Sequence, residues 1–416
     1  MRQRLVPGLL RQRDYRLIWT AHTGSVVGDG LHSVAITWLT YSTLGAGAPG
    51  LAALGIALVI PNLALGILSG TLVDRWDRRR VMVYADLARA AITGVLALSV
   101  FAGFVSLPIV IAAGIGMILA SQFFGPAQGA VLPAYVASDQ IVQANAMLST
   151  SRQAASLLTP GIGALLFAAI GPTGLFLIDG ASFVWSAFLV ARLTPGPALP
   201  GPAPRRPLLQ EAGDGLRFIA NHPPSRLVTL VAAGNQLFAS GPFRTIIPLW
   251  VSVQLGGGVV EYGVIMSGLA AGLLVANLTM SFVRTRLPLV AIVVGGVFVQ
   301  GAIWAAFAFA WTLALATLAF VALGVANGVL NAANSARLQL TVPSEMRGRT
   351  FATFFTTMNL TTPISLAVTG TLATLVSPVA IIAGSGLGLM AVGGAGFMAA
   401  LRQLRHERQT AASSMN

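Results

Sequence analysis

The sequence predicts an all-α integral membrane protein, with twelve transmembrane helices arranged as two six-helix bundles. Three observations predict it. Apolar side chains make up 55% of the 416 residues and charged ones 9%, where a soluble domain carries roughly 25% charged residues. Arginines gather in every other connection between the apolar stretches. A proline-rich run interrupts the pattern near mid-chain. A spanning helix takes about 20 apolar residues, so twelve use about 240 and leave only short connections.

Six apolar stretches, at approximately 16–43, 50–73, 80–104, 107–131, 145–170 and 173–192, precede the break. Six more follow, at approximately 227–254, 262–283, 287–311, 313–340, 351–376 and 378–401. The first begins after an arginine-rich segment as a signal peptide would. It is too long for one, carries Asp29 in its middle and lacks a clear small-residue cleavage site, so it reads as a helix. Arg11, Arg13 and Arg16 precede it, Arg75, Arg78, Arg79 and Arg80 lie between the second and third stretches, and Arg402, Arg405 and Arg408 close the chain. The alternate connections, around 45–49, 105–106, 171–172, 255–261 and 377, hold no basic residue. By the positive-inside rule both termini are cytoplasmic, in a multi-pass protein of the cell membrane. Trp250, Trp311, Tyr41 and Tyr262 fall at stretch ends on the opposite side, where an interfacial aromatic belt is expected.

The run Thr194-Pro195-Gly196-Pro197-Ala198-Leu199-Pro200-Gly201-Pro202 cannot be a membrane helix, because each proline removes a backbone donor. It divides the chain into an N-terminal bundle at 1–192, a cytoplasmic linker at 193–225 with a short amphipathic piece from Leu208 to Ile219, and a C-terminal bundle with a basic tail at 226–416. The halves look repeated: Arg16-Leu17 recurs as Arg226-Leu227, and Leu132-Pro133 matches Val342-Pro343 at the same offset. Parallel repeats around a central pathway are an arrangement of secondary transporters.

Absences narrow the chemistry. The chain has no lysine, which excludes a Walker A loop and ATP hydrolysis of its own. It has no cysteine, so disulfides and thiolate metal sites are excluded. No cofactor is implied. The net charge of +13 comes from arginines between spans, which points to membrane lipids and orientation and away from nucleic acid. No helix carries HExxH, a paired-carboxylate site or a GxSxG elbow in context, so the chain does not read as an enzyme.

The most specific segment is Gly70-Thr71-Leu72-Val73-Asp74-Arg75-Trp76-Asp77-Arg78-Arg79-Arg80. A small residue at a helix end lets another helix approach, and Asp74 is placed to meet helix amides or an arginine; the plainer reading is a charged loop that sets topology. The segment resembles the loop signature G-x-x-x-D-R-x-G-R-R of the major facilitator superfamily, with Asp77 in place of the second glycine. That change is similar to the branch of macrolide efflux proteins and the enterobactin exporter. So are Gly28-Asp29, Phe124-Gly125-Pro126-Ala127, Asn145-Ala146, and Pro343 ahead of Arg347-Gly348-Arg349. The resemblance implies proton-driven export of small molecules, and a loop that latches the cytoplasmic gate through Gly70, Asp74, Arg75, Arg78 and Arg79. Two departures weaken the proton part: the fourth stretch carries Gln122 and no charge, and the proline-glycine motif of related antiporters survives only as Thr159-Pro160-Gly161-Ile162-Gly163.

Ionisable groups at membrane depth are costly, by about 2.5–3.5 kcal/mol for an aspartate at a helix centre. Asp29 sits mid-helix with His32 three residues on and His22 seven back, all within about 60° of one face. Three titratable groups on one stripe suit a proton path, although about 10 Å of rise separates His22 from Asp29, too far for one metal site. Asp29 reads as a coupling or substrate group, or as half of a structural ion pair. His22 reads as hydrogen-bonded to a neighbouring helix. Asp86 and Arg89 are spaced to pair on one helix face, as a gate or a structural pair. Arg152 requires a carboxylate from another helix. Asp179 and Arg244 fit a functional site or an interdomain latch. Asn327, Asn331 and Asn334 form one stripe of the tenth stretch, to contact substrate or to glue helices. The aromatics Trp38, Phe123, Phe183, Trp185 and Trp304 can each line a cavity or face lipid, and lipid is the commoner fate.

The expected function is a secondary active, proton-coupled exporter of hydrophobic or amphipathic small molecules of drug or siderophore type, working by alternating access. A lysolipid or lipid flippase of the same fold, and a non-transporting membrane sensor or scaffold, are the alternatives.

Overall fold

A computed structural model describes residues 8–65, 76–194, 208–280, 288–342 and 347–413. Apart from short connections they are helical, as buried backbone in hydrocarbon demands, since a helix satisfies its own N–H and C=O groups. The chain forms two compact units, residues 1–50 with 57–205 and residues 51–56 with 206–416.

The helices are α1 (Arg13–Trp38), α2 (Gly47–Leu65), α3 (Arg78–Phe101), α4 (Leu107–Val131), α5 (Ile141–Ala191), α6 (Leu208–Asn221), α7 (Pro223–Gly241), α8 (Ile247–Gln254), α9 (Val259–Met280), α10 (Leu289–Phe307), α11 (Leu313–Thr341), α12 (Arg347–Leu372) and α13 (Pro378–Ser413). Seven helical stretches among the described residues are long and apolar enough to cross a membrane. One of these, α5 with its leading turn, contains two spans, joined at Gly171 (φ 67°). Pro172 explains the break: it lacks an N–H and pushes the residue before it out of the helical region, into a conformation glycine adopts without a Cβ penalty. A π-helical turn over Pro242–Ile246 links α7 to α8, so these two make one interrupted span.

In the first unit α1 runs along α5, and α3 packs against α4 and α5. The approach of α1 to α5 is close. A Cβ on Gly28 would meet Asp179 and Ser182, and one on Gly30 would meet Thr159. At the arginine-rich end an apolar cluster including Tyr15, Ile18, Met82, Leu132 and Val190 closes the unit, and the Tyr15 hydroxyl donates to the Ala144 carbonyl at 3.0 Å.

In the second unit α9 packs on α11, α10 on α11 and α13, and α7 on α12 and α13, while α6 lies against α12. Its aromatic core joins Trp250, Trp304, Phe307 and Phe320. Trp250 therefore departs from the aromatic-belt expectation: it is fully buried, its ring 4.3 Å from that of Phe307. The reason is a carbonyl. Trp250 Nε1 donates at 3.2 Å to Ala308, which caps α10 and whose oxygen has no partner within its own helix.

Candidate transport cavities

In the segment ahead of α3, Gly70, Asp74 and Arg75 lie outside the described residues, as do Arg284, Arg286, Pro343 and the proline-rich run from Pro195. The described part explains the residue that replaces glycine. Asp77 is the N-cap of α3, its carboxylate accepting from the backbone N–H of Arg79 at 3.0 Å and of Arg80 at 3.2 Å. Arg79 then reaches the far end of α5, donating from Nε to the Val190 carbonyl at 3.2 Å and from Nη2 to that of Ala191. A cation on the last carbonyls of a helix is favoured by the helix dipole. Arg13 donates to Arg192 O beside it, and Tyr135 to Thr194 O at 2.6 Å.

The first unit holds a cavity of about 420 Å³ between α1, α3, α4 and α5. Asp29 and His22 line it from α1, Arg89 from α3, Gln128 and Phe124 from α4, and Arg152 from α5. The three stripe residues of α1 part company here. His22 is fixed as a neutral ring: its Nε2 donates to the Leu148 carbonyl and its Nδ1 accepts from Gln128, both at 3.2 Å. His32 is turned away from the cavity toward α5, its Nδ1 3.0 Å from Asp179 Oδ2 and its ring edge-on to Phe176. Asp179 is fully buried, and neither of its oxygens makes a well-formed hydrogen bond. The single file of three groups read from the sequence is thus split between a cavity wall and a helix interface.

Asp86 and Arg89 do pair, on α3 and fully inside the unit. The guanidinium also lies between two rings, 4.5 Å from the Phe124 centroid and 4.3 Å from that of Phe183, a desolvated cation–π arrangement. Phe183 faces Arg89 and is fully buried, so lipid contact is not its fate. Asp29 differs from both other aspartates. It is exposed to the cavity, feels the charges of Arg89, Asp179, His32 and Asp86, and has no cation within 4.0 Å among the described residues. Arg152 is its counterpart: exposed to the same cavity, with no carboxylate within 4.0 Å among the described residues. Where the sequence called for a carboxylate, the described residues put a cavity beside the guanidinium.

The second unit holds a cavity of about 290 Å³ lined by Asn235, Gln236, Arg244, Gln300, Trp304, Asn327 and Asn331, among others. Its amides are chained: Asn235 Nδ2 donates to Gln300 Oε1 at 2.6 Å, and Gln300 Nε2 to Asn327 Oδ1 at 3.4 Å. Asn334 is not among the lining residues, and its buried Oδ1 has no hydrogen bond. Gln128 is the site residue the sequence reading missed. One signal was available, since it lies six residues beyond Gln122 on a helix otherwise without polar amides. Gln122 itself bonds Asn62 of α2 at 2.5 Å.

Helices of this arrangement, with polar cavities inside apolar bundles, match a known family: the profile of the transmembrane secretion effectors covers residues 5–416. The chain belongs to this family of the major facilitator superfamily. Relatives of the transporter include the uncharacterized MFS-type transporter YvqJ of Bacillus subtilis, 25% identical over 86% of each chain. Macrolide efflux protein A of Streptococcus pyogenes is 23% identical over 68% of this chain and 70% of its own. The enterobactin exporter of Escherichia coli is 27% identical over 95% and 94%. Among solved structures, a bacterial homologue of the iron transporter ferroportin in its inward-facing state superposes with a TM-score of 0.72, at 18% identity, over 94% of this chain and 99% of that one. A bacterial homologue of the lysosomal transporter Spinster gives 0.73 at 13% identity, over 95% and 98%. These structures share its fold. The transporter is a multi-pass membrane protein whose relatives handle small molecules.

Proposed function

We propose that this transporter exports hydrophobic or amphipathic small molecules in exchange for protons, by alternating access, with Asp29 as the proton-binding group. The observation that carries this reading is the difference among three aspartates. Asp86 is committed to Arg89 and Asp179 to His32, while Asp29 opens to a cavity and has no cation within 4.0 Å among the described residues. A carboxylate that loads and releases a proton needs a path for water and no permanent counter-ion. The relatives named for macrolide efflux and enterobactin export support the direction of transport.

In this reading residues 1–192 and 226–416 are the two rocking bundles, 193–225 joins them, both ends face the cytoplasm, and the Gly70–Arg79 loop latches the inner gate. Asn327, Asn331 and Arg244 meet substrate from the second bundle, and His32 with Asp179 positions α1 beside Asp29. The test is a proteoliposome assay with an internal pH dye and a panel of lipophilic compounds. Asp29→Asn is expected to fold as the parent does and to lose exchange driven by a pH gradient. Unchanged exchange in that variant would refute the proposal.

A further inference from the structure

The cavity of the first unit displays one carboxylate and one guanidinium, Asp29 and Arg152, with neither paired to the other nor to any opposite charge within 4.0 Å among the described residues. The third charge on the wall, Arg89, is occupied by Asp86 and two aromatic rings. The two open charges stand at different levels. Thr23 bonds Ser151 and Gly30 packs on Thr159, so α1 and the first limb of α5 run side by side in the same direction. Asp29 is therefore level with Leu158, six residues beyond Arg152, which is about 9 Å along the helix axis.

We infer that this cavity takes a zwitterion: an amphipathic molecule whose anionic group is held by Arg152 and whose cationic group is held by Asp29. The inference rests on the transport reading of the cavity and names its substrate class. An anion alone would leave Asp29 uncompensated and be repelled by it, and a cation alone would leave Arg152 so. A molecule carrying both charges compensates both and adds no net charge to a low-dielectric wall. Val26 and Phe124 supply apolar surface for the body of the molecule. The chemistry also fits exchange, because a proton and the ligand's cationic group cannot occupy Asp29 together. Arg244, the charged side chain among the described residues that line the second cavity, is suited to holding the same anionic group.

The experiment measures binding to the purified full chain in maltoside detergent, without any gradient. Three fluorescent probes share one pyrene tail: a propyl sulfobetaine, its trimethylammonium analogue without the sulfonate, and its alkyl sulfonate analogue without the ammonium. Each charged contact is expected to contribute about tenfold to a hundredfold in affinity, so the sulfobetaine binds tighter than either analogue by about that factor. Arg152→Gln lowers the sulfobetaine to the affinity of the cationic probe, and Asp29→Asn lowers it to that of the anionic one. Arg152→Lys, which keeps the charge, retains the preference; size-exclusion profiles check the fold of each variant. The inference is overturned if no probe binds, if either singly charged probe binds the parent as tightly as the zwitterion, or if folded Arg152→Gln leaves sulfobetaine binding unchanged. Should Arg152→Gln fail to fold, the parent's ranking of the probes and Arg152→Lys decide. Competition identifies the source: displacement by lysophosphatidylcholine points to a membrane lipid, displacement only by short-tailed soluble betaines to a soluble metabolite, and either sustains the class. Loss of the zwitterion preference leaves proton exchange standing, whereas an Asp29→Asn variant that still exchanges protons overturns the exchange reading and leaves the probe ranking intact.

Discussion

Replacing Arg89 by methionine removes the cation of a buried pair and strands its aspartate. The side chains of Arg89 and Asp86 are 4% and 0% exposed, which decides the energy scale. An exposed pair contributes about 0–1 kcal/mol, but breaking a buried one costs about 3–5 kcal/mol because the survivor keeps its desolvation penalty. Beyond Arg89, the Asp86 carboxylate has only the Ser186 hydroxyl beside it, and its Oδ2 makes no well-formed hydrogen bond. The rings of Phe124 and Phe183 lose a cation worth about 2 kcal/mol when desolvated, a part of the same total. Arg89→Met is therefore expected to destabilise by about 3–5 kcal/mol. Asp86→Leu strands a guanidinium that still has its two rings, and belongs at the lower end of that range. The double variant Asp86→Leu/Arg89→Met replaces the whole pair by apolar groups and should return to within about 1–2 kcal/mol of the parent. Unfolding of the purified protein by dodecyl sulfate in mixed micelles, followed by circular dichroism, gives the four free energies. The reasoning is refuted if Arg89→Met costs less than about 1 kcal/mol, or if the single losses simply add.

Other side chains give outcomes of the same kind. Asp77→Ala removes the N-cap of α3 and should cost about 1 kcal/mol in the same unfolding assay, with Asp77→Ser nearly neutral; equal losses for both would contradict the capping role. Gly28→Val places a branched side chain against Asp179 and Ser182, and is expected to lose about 1–3 kcal/mol, while Gly94→Val, in open space, serves as the control. His222 caps α7 by accepting at Nδ1 from the backbone and hydroxyl of Ser225, and burial, with Arg337 nearby, pushes its pKa below the ordinary value. The undocked state, near pKa 6.5, then binds the proton first, so docking of α6 is at full strength above about pH 6.5 and weakens as pH falls from there. Hydrogen exchange over residues 208–221 should accelerate between pH 7.5 and 5.5 after correction for intrinsic rates, and a flat profile, or the same acceleration in His222→Asn, would count against it.

Composition and the rhythm of arginine were enough to read twelve apolar stretches, because hydrocarbon forces every spanning segment to be helical and apolar whatever its neighbours are. Family membership was legible as well, in the loop ahead of α3 and in short segments whose residues stand at fixed spacing. Pairing within one helix could also be read: Asp86 and Arg89 are three residues apart, and local geometry alone brings them together. Which way a polar group faces was not legible. Asp29 and His32 share a stripe on α1, yet only the packing of α5 against that stripe sends His32 to Asp179 and leaves Asp29 open to water. The same holds for Trp250, drawn inward by the carbonyl of Ala308, and for Arg152, whose partner on another helix was expected and is replaced by a cavity. A helix period fixes positions around one axis; contacts between axes depend on how glycines such as Gly28 and Gly30 let neighbours approach, and that is decided only when the bundle closes.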